Sequence, residues 1–258
     1  WNVIDATDKT SAKLCMFEAV VSGITSALSV KREKNILADK FNLLNMPLLS
    51  EVNLENKIIS PEEYSAELKR LSKKLSKLHG KLYKKKIPVI LAFEGWDAAG
   101  KGGAIKRVAS ALDPRGYEAI PIAAPDKTEL NHHYLWRFWN RIPKSGHIAI
   151  FDRTWYGRVM VERLESITPE ERWSMAYHEI NEFERELTES GVVVIKFWLQ
   201  IDKDEQLRRF TERQNTPEKQ WKITDEDWRN RDKWDLYEVA VNEMIQKTST
   251  IDAPWNII

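Results

Sequence analysis

Hydrophobic positions in this chain repeat first with a helical period and then with that of buried strands. Between residues 7 and about 30, Leu14, Phe17, Val20, Val21, Ile24 and Leu28 recur at helical spacing behind a capping-type Thr7-Asp8 pair. The pattern predicts a helix in which Cys15 is buried. Residues 31–60 are polar and irregular, broken by Pro47 and closed by Ser60-Pro61. Proline suits the first position of a helix, where its fixed φ is helical and its missing N–H would have no partner. In the helix expected from Pro61, Leu68, Leu71, Leu75, Leu78 and Leu82 form one apolar stripe, and nine basic residues decorate positions 69–86. That basic face reads as a solvated surface or as an attractor of polyanions.

The period then changes. Pro88-Val89-Ile90-Leu91-Ala92-Phe93, Ala119-Ile120-Pro121-Ile122, His147-Ile148-Ala149-Ile150-Phe151 and the run 192–199 are short, continuous apolar segments of the kind buried in parallel sheets. Helical patterns at 104–112, 128–140, 169–189 and 204–214 separate them. Strand and helix alternating at this spacing predict an α/β domain with a doubly wound parallel sheet. Residues 1–60 then form an N-terminal helical extension and connection, and 61–258 the main domain.

Candidate chemistry sits at the strand ends. The first strand runs into Gly95-Trp96-Asp97-Ala98-Ala99-Gly100-Lys101-Gly102-Gly103, and a helix follows; Gly95, Gly100 and Lys101 fit the G-x-x-x-x-G-K spacing of a phosphate-binding loop. Such a loop needs a backbone that folds tightly and turns successive N–H groups, here from Gly95, Ala98, Ala99, Gly100, Gly102 and Gly103, toward phosphate oxygens. Lys101 adds a mobile charge, and the helix adds the positive end of its dipole. Gly102 stands where most such loops place a Ser or Thr ligand for Mg²⁺. A carboxylate among phosphates needs an intervening cation, so Asp97 is read as a metal ligand, direct or through water, with capping of the next helix as its alternative. Asp152 ends a later buried strand in the Walker B arrangement, within reach of the same Mg²⁺, and Arg153 and Arg158 supply forked donors to phosphoryl oxygens. A local Asp152–Arg153 ion pair is the structural alternative. Further on, Arg209 and Arg213 share a helix face in a Lys-, Arg- and Trp-rich segment, about 203–233, read as a lid that brings positive charge to the transferring phosphate. Of the two, Arg213 is preferred as the lid arginine.

Composition excludes several classes. Forty Lys plus Arg against 39 Asp plus Glu leave a net charge of +1, which argues against a DNA-coating protein. A single cysteine excludes an internal disulfide and a multi-thiolate zinc site within this chain, and with no signal-peptide pattern the expected compartment is the cytoplasm. No continuous apolar run approaches the length of a membrane span, so no membrane partner is expected. The first residue is Trp1, and Trp1-Asn2-Val3-Ile4 resembles Trp255-Asn256-Ile257-Ile258. A fragment of a tandem duplication would explain the likeness, as would an ordinary apolar strand at each end. His132 and His133 are expected on the helix of Trp136, pointing in different directions and unsuited to a paired metal site.

Phe93-Glu94-Gly95-Trp96-Asp97-Ala98-Ala99-Gly100-Lys101-Gly102-Gly103 and Phe151-Asp152-Arg153-Thr154-Trp155-Tyr156-Gly157-Arg158 resemble the two principal motifs of the polyphosphate kinase 2 family. Tyr134-Leu135-Trp136-Arg137 and Ala253-Pro254-Trp255 are similar to further landmarks, and Gly102 is expected in that family. The resemblance implies a three-layer P-loop kinase-like fold with a helical lid, and transfer of a phosphoryl group from inorganic polyphosphate to an adenine nucleotide. Its closest fit is the class acting on AMP, whose members are typically tandem duplications. It makes Asp97 and Asp152 the Mg²⁺-organising carboxylates, Lys101 and Arg153 phosphate clamps, and Arg213 the lid arginine; Arg158 and Arg209 are read from their own positions as further phosphate contacts. The partner expected besides substrates is a duplicate domain or a second copy, and no nucleic acid. Nucleoside diphosphate acceptors, an ATP-dependent small-molecule kinase and a non-enzymatic polyanion-binding module are the other readings. Gly102 weighs against the second of these, and the near-zero net charge against the third.

Overall fold

The computed structural model describes residues 3–29, 41–55 and 59–258, in two units, 1–40 and 41–258. The first unit holds α1 (Lys9–Ser29), capped by Asp8, whose carboxylate accepts the Ser11 N–H at 2.9 Å. None of its residues is buried, and the stripe from Leu14 to Leu28 is exposed. Cys15 is therefore exposed as well, contrary to the burial its helical spacing predicts. By length and composition alone α1 could cross a bilayer, a property that Glu18 and its interspersed Ser and Thr residues conceal from a search for continuous apolar runs. Trp1, Asn2, residues 30–40 and residues 56–58 lie outside the described residues, and with them part of the Trp1–Ile4 likeness and of the connection expected at 31–60.

In the second unit, α2 (Pro61–Lys85) starts where the sequence places it. Ser60 accepts the Glu63 N–H at 3.2 Å, Glu63 reaches back to Ser60, and Lys86 closes the helix in a left-handed conformation. Its stripe is only partly used: Leu75 and Leu82 pack on the core, whereas Leu71 and Leu78 stay exposed.

Five strands follow, all parallel, in the order β2-β3-β1-β4-β5: β1 (Val89–Gly95), β2 (Tyr117–Pro121), β3 (Ile148–Asp152), β4 (Val193–Leu199) and β5 (Trp255–Ile257). The doubly wound parallel sheet expected from the sequence is thus the observed fold. β1 lies at the centre and is buried almost throughout because both of its faces are covered. Alternation sorts its side chains. Val89, Leu91 and Phe93 join Ile148, Ile150 and Ile105 on one face; Ile90 and Ala92 join Ala149, Phe151, Val194 and the large aromatic cluster on the other. The first face is covered by α2 and α3 (Lys101–Ala109), the second by α6 (Glu170–Glu189) and α9 (Trp234–Thr248). The connection leaving β1 runs to one side of the sheet and that leaving β3 to the other, so a crevice opens beyond the carboxyl ends of these neighbours.

The helix expected at 128–140 is broken. A single 3₁₀ turn, Glu129–Asn131, is followed by extended backbone at His132, and α4 spans only Trp136–Trp139. The Asn131 amide and the His132 ring bind the carbonyls of Lys127 and Thr128, giving the backbone an alternative to helix. His132 and His133 therefore precede the helix of Trp136; His132 stacks on the Trp136 ring at 4.1 Å.

Behind β3 come α5 (Val161–Leu164) and α6, and between β4 and β5 lie α7 (Lys203–Asn215), α8 (Asp225–Asp232) and α9. Residues 41–55 pack with this unit: Leu49 is buried and its N–H donates to Asn242 at 2.8 Å. The interior also contains charge. Lys196 on β4 and Glu184 on α6, both essentially inaccessible, form an ion pair at 2.7 Å. All three ammonium protons are used, on Glu184, the Tyr156 hydroxyl and the Thr248 carbonyl, while Glu184 also accepts from Tyr156 and Trp155. Burial pulls the Lys196 pKa down, and the carboxylate beside it opposes that shift.

Candidate active site

At the end of β1 the chain turns into the loop through Gly95, at φ +150°. A Cβ there would lie 2.7 Å from the Leu199 carbonyl oxygen and 2.8 Å from its Cβ. Gly95→Ala is therefore expected to part β1 from β4 and cost about 1–3 kcal/mol of stability. Gly102→Ala, whose added carbon meets nothing within 4 Å, has no such steric cost. Denaturant unfolding of both variants checks the contrast.

Two further positions hold left-handed backbone: Ala98 at φ +62° and Gly100 at φ +108°, the latter capping α3. Ala98 is strained for a residue with a side chain, and its surroundings must hold it. They do so from both sides. Trp96 stacks on Trp234 at 3.7 Å, and its indole N–H shares the side-chain Oε1 of Gln200 with that of Trp198, each at 2.9 Å. Arg209, paired with Glu205, donates to the carbonyls of Ala98 and Ala99 at 3.0 Å. The Lys101 ammonium folds back onto the carbonyls of Gly95 and Trp96 at 2.5 and 3.2 Å. Gly102 and Gly103 lie in the first turn of α3.

A cleft of about 100 Å³ opens over the loop, lined by Gly95, Asp97, Lys101 and Arg153 from the predicted set, together with Glu94, Gln206, Glu226, Asn230 and Tyr237. Arg153, at φ +66°, turns out of β3 just after Asp152; its N–H donates to the Phe93 carbonyl, which ties the two strand ends together. Asp152 sits in register with Phe93 on β1, one strand away from the loop. Glu94 is buried, accepts the Thr154 hydroxyl at 2.8 Å, and has its pKa raised by burial against the opposing charges of Lys101 and Arg153. Asp97 is held twice: Asn230 donates to its carboxylate at 3.0 Å and Gln206 to its backbone carbonyl at 3.1 Å.

Two predicted arginines lie elsewhere. Arg158 pairs with Glu162 at 2.8 Å, donates to Thr168 and covers the Tyr134 ring at 4.3 Å. Arg213 is directed at the Lys222 carbonyl, 3.3 Å away, outside the cleft lining. Of the lid pair, Arg209 is the one in contact with the loop. Among the described residues no group of three or more His, Cys, Asp or Glu could hold a metal. Asp97 in the loop after β1 and Asp152 at the end of neighbouring β3, outside the cleft lining, are two separate carboxylates of the kind that suit a hard cation which keeps waters and takes its remaining ligands from phosphates. Glu94 was signalled by a carboxylate ending an apolar run, whereas Gln206, Asn230 and Tyr237 carry no local sequence signature.

The family model described as Polyphosphate kinase 2 matches residues 58–258. Proteins named polyphosphate:AMP phosphotransferase from Pseudomonas syringae pv. tomato and Pseudomonas aeruginosa are 47% and 44% identical across 100% of this chain, which covers 52% and 53% of their lengths. An ADP-polyphosphate phosphotransferase from Pseudomonas aeruginosa is 34% identical over 88% of the chain and 74% of its own length. Among solved structures, one assigned to polyphosphate kinase 2 from Pseudomonas aeruginosa superposes with a TM-score of 0.87 at 43% identity, covering 100% of this chain and 54% of that one. Polyphosphate kinase 2 from Arthrobacter aurescens gives a TM-score of 0.80 at 31% identity, over 84% of this chain and 80% of that one. The chain spans about half the length of the polyphosphate:AMP phosphotransferases it matches. With its phosphate loop, its second acidic strand end and this match over most of its length, the chain belongs to the polyphosphate kinase 2 family.

Proposed function

We propose that this domain transfers the terminal phosphoryl group of inorganic polyphosphate to the phosphate of AMP, giving ADP, in a Mg²⁺-dependent reaction of the cytoplasm. The observation that carries the acceptor is the match, at 44–47% identity over the whole chain, to three proteins named for AMP, against 34–38% over three quarters or more for those named for ADP or nucleoside diphosphates. The transfer chemistry rests on the cleft. Donor and acceptor are both anions, and bringing them together is the main electrostatic problem. The loop N–H groups and the start of α3 receive phosphate oxygens. Lys101 moves from the loop carbonyls to those oxygens, and Arg153 offers its planar fork from the neighbouring strand end. Asp97 and Asp152 would hold Mg²⁺, which when bound neutralises charge on the phosphoryl oxygens. Arg209 keeps the loop in shape while α7 and α8 exclude water from the cleft. The AMP phosphate ionises near neutral pH and needs no strong base.

The test is a discontinuous nucleotide assay with Mg²⁺, long-chain polyphosphate and either AMP or ADP, with Asp152→Asn as the blank. The expected outcome is ADP from AMP, little ATP from ADP, and neither product in the blank. ATP formed mainly from ADP would move the acceptor class, and no transfer to either nucleotide would overturn the donor assignment.

A further inference from the structure

Of the cleft side chains that neither the loop motif nor the second acidic motif explains, Asn230 is the one that touches the carboxylate of Asp97. Asn230 enters on α8, four residues after Glu226, so that one face of this short helix meets the cleft. Its amide nitrogen lies 3.0 Å from Oδ2 of Asp97. A carboxylate only accepts, so the amide must face it with its NH₂, and the amide oxygen turns toward the Tyr237 hydroxyl 3.5 Å away. Burial raises the pKa of Tyr237, with Glu165, Asp97 and Glu226 adding to the effect, so the hydroxyl remains a donor. Asp97 Oδ1 accepts no hydrogen bond among the described residues.

We propose that Asn230 is a positioning residue for the phosphoryl-transfer site, holding one oxygen of Asp97 so that the other faces the divalent cation. The inference rests on the cation role given to Asp97 above. The residue type supports it. A lysine or arginine here would neutralise the carboxylate and compete with the cation, and an acid would repel Asp97 whenever the cation is absent. A neutral amide orients the carboxylate and leaves its charge intact. Asn230 of α8 holds the carboxylate of Asp97 and Gln206 of α7 holds its backbone carbonyl, so both lid helices are tied to this one residue, and α8 alone to the orientation of its side chain.

The experiment uses Mn²⁺ as the probe, reading its binding to the nucleotide-free chain by loss of the free-ion electron paramagnetic resonance signal, alongside steady-state kinetics. Asn230→Ala is expected to weaken Mn²⁺ binding about tenfold, as loss of a hydrogen bond to a charged group does. Asn230→Asp sets a second carboxylate beside Asp97 and is expected to tighten Mn²⁺ binding, yet to lower kcat with little change in the KM for AMP. A merely structural role would move both variants in the same direction, and that result, or no change in either, overturns the proposal. Tyr237→Phe, which keeps the ring and loses the orienting hydroxyl, provides a second variant and is expected to weaken binding about threefold. Asp97→Asn separates the two levels of the argument. If it abolishes Mn²⁺ binding while the Asn230 variants do nothing, only the positioning role fails; if it leaves binding unchanged, the cation reading fails and the positioning role with it.

Discussion

Glu184→Gln is expected to destabilise the domain by about 3–5 kcal/mol, lowering Tm by on the order of 10 °C. The substitution keeps the shape of the side chain, and its amide oxygen can still accept from Trp155 and Tyr156. What changes is that Lys196, with no solvent access, loses the carboxylate that pairs with it. A charge buried without its counter-ion carries its full desolvation cost, whereas a fully apolar replacement carries none. The double variant Glu184→Gln with Lys196→Met removes the charge and keeps the amide oxygen for Trp155 and Tyr156, and is therefore expected to regain much of the loss. Denaturant unfolding of the single and the double variant measures this. A single-variant cost under about 1 kcal/mol would show that water reaches the pair.

Asp97→Asn is expected to act on activity and not on stability. It should lower turnover roughly a hundredfold, equivalent to about 3 kcal/mol of transition-state stabilisation, while leaving the unfolding midpoint where it was. The fold is expected to tolerate the change because an asparagine at 97 still offers a carbonyl oxygen to Asn230, and the backbone contact from Gln206 does not involve the side chain. Only the negative charge is lost. Turnover near the wild-type value at saturating AMP, polyphosphate and Mg²⁺ would remove Asp97 from the chemistry.

β1, β3 and β4 were legible in the sequence as apolar runs, which a parallel sheet covered on both faces produces. β2 was expected from Ala119 and begins at Tyr117, and β5 was read only as one account of the likeness between the chain ends. The phosphate loop was legible because its glycines answer to backbone geometry: Gly95 and Gly100 adopt positive φ, and Gly95 touches Leu199. Residues 225–248 show where local pattern gives out. α9 buries Ala240, Val241, Met244, Ile245 and Thr248 at helical spacing, yet the charged segment before it conceals its start. Asn230 acts on Asp97 from 133 positions away, and no local window contains both. The same holds for Lys196, which a strand pattern reads as an interruption until Glu184 and the Thr248 carbonyl are seen beside it. Cys15 fails for another reason: helical spacing identifies an apolar face but not whether anything covers it.

The ion pair inside the sheet bears on how the chain is made. One of the three acceptors of the Lys196 ammonium is the carbonyl of Thr248, and the hydroxyl of Thr248 receives the indole N–H of Trp255. A ribosome therefore releases β1, β3 and β4 well before it supplies the groups that complete the solvation of the charge on β4. Until residues 248–257 emerge, the nascent domain must leave this lysine in water, with β4 unpaired along one edge. Closure of the interior then waits for the last strand, which gives a stalled or truncated chain an open edge and a hydrated core for proteases to find.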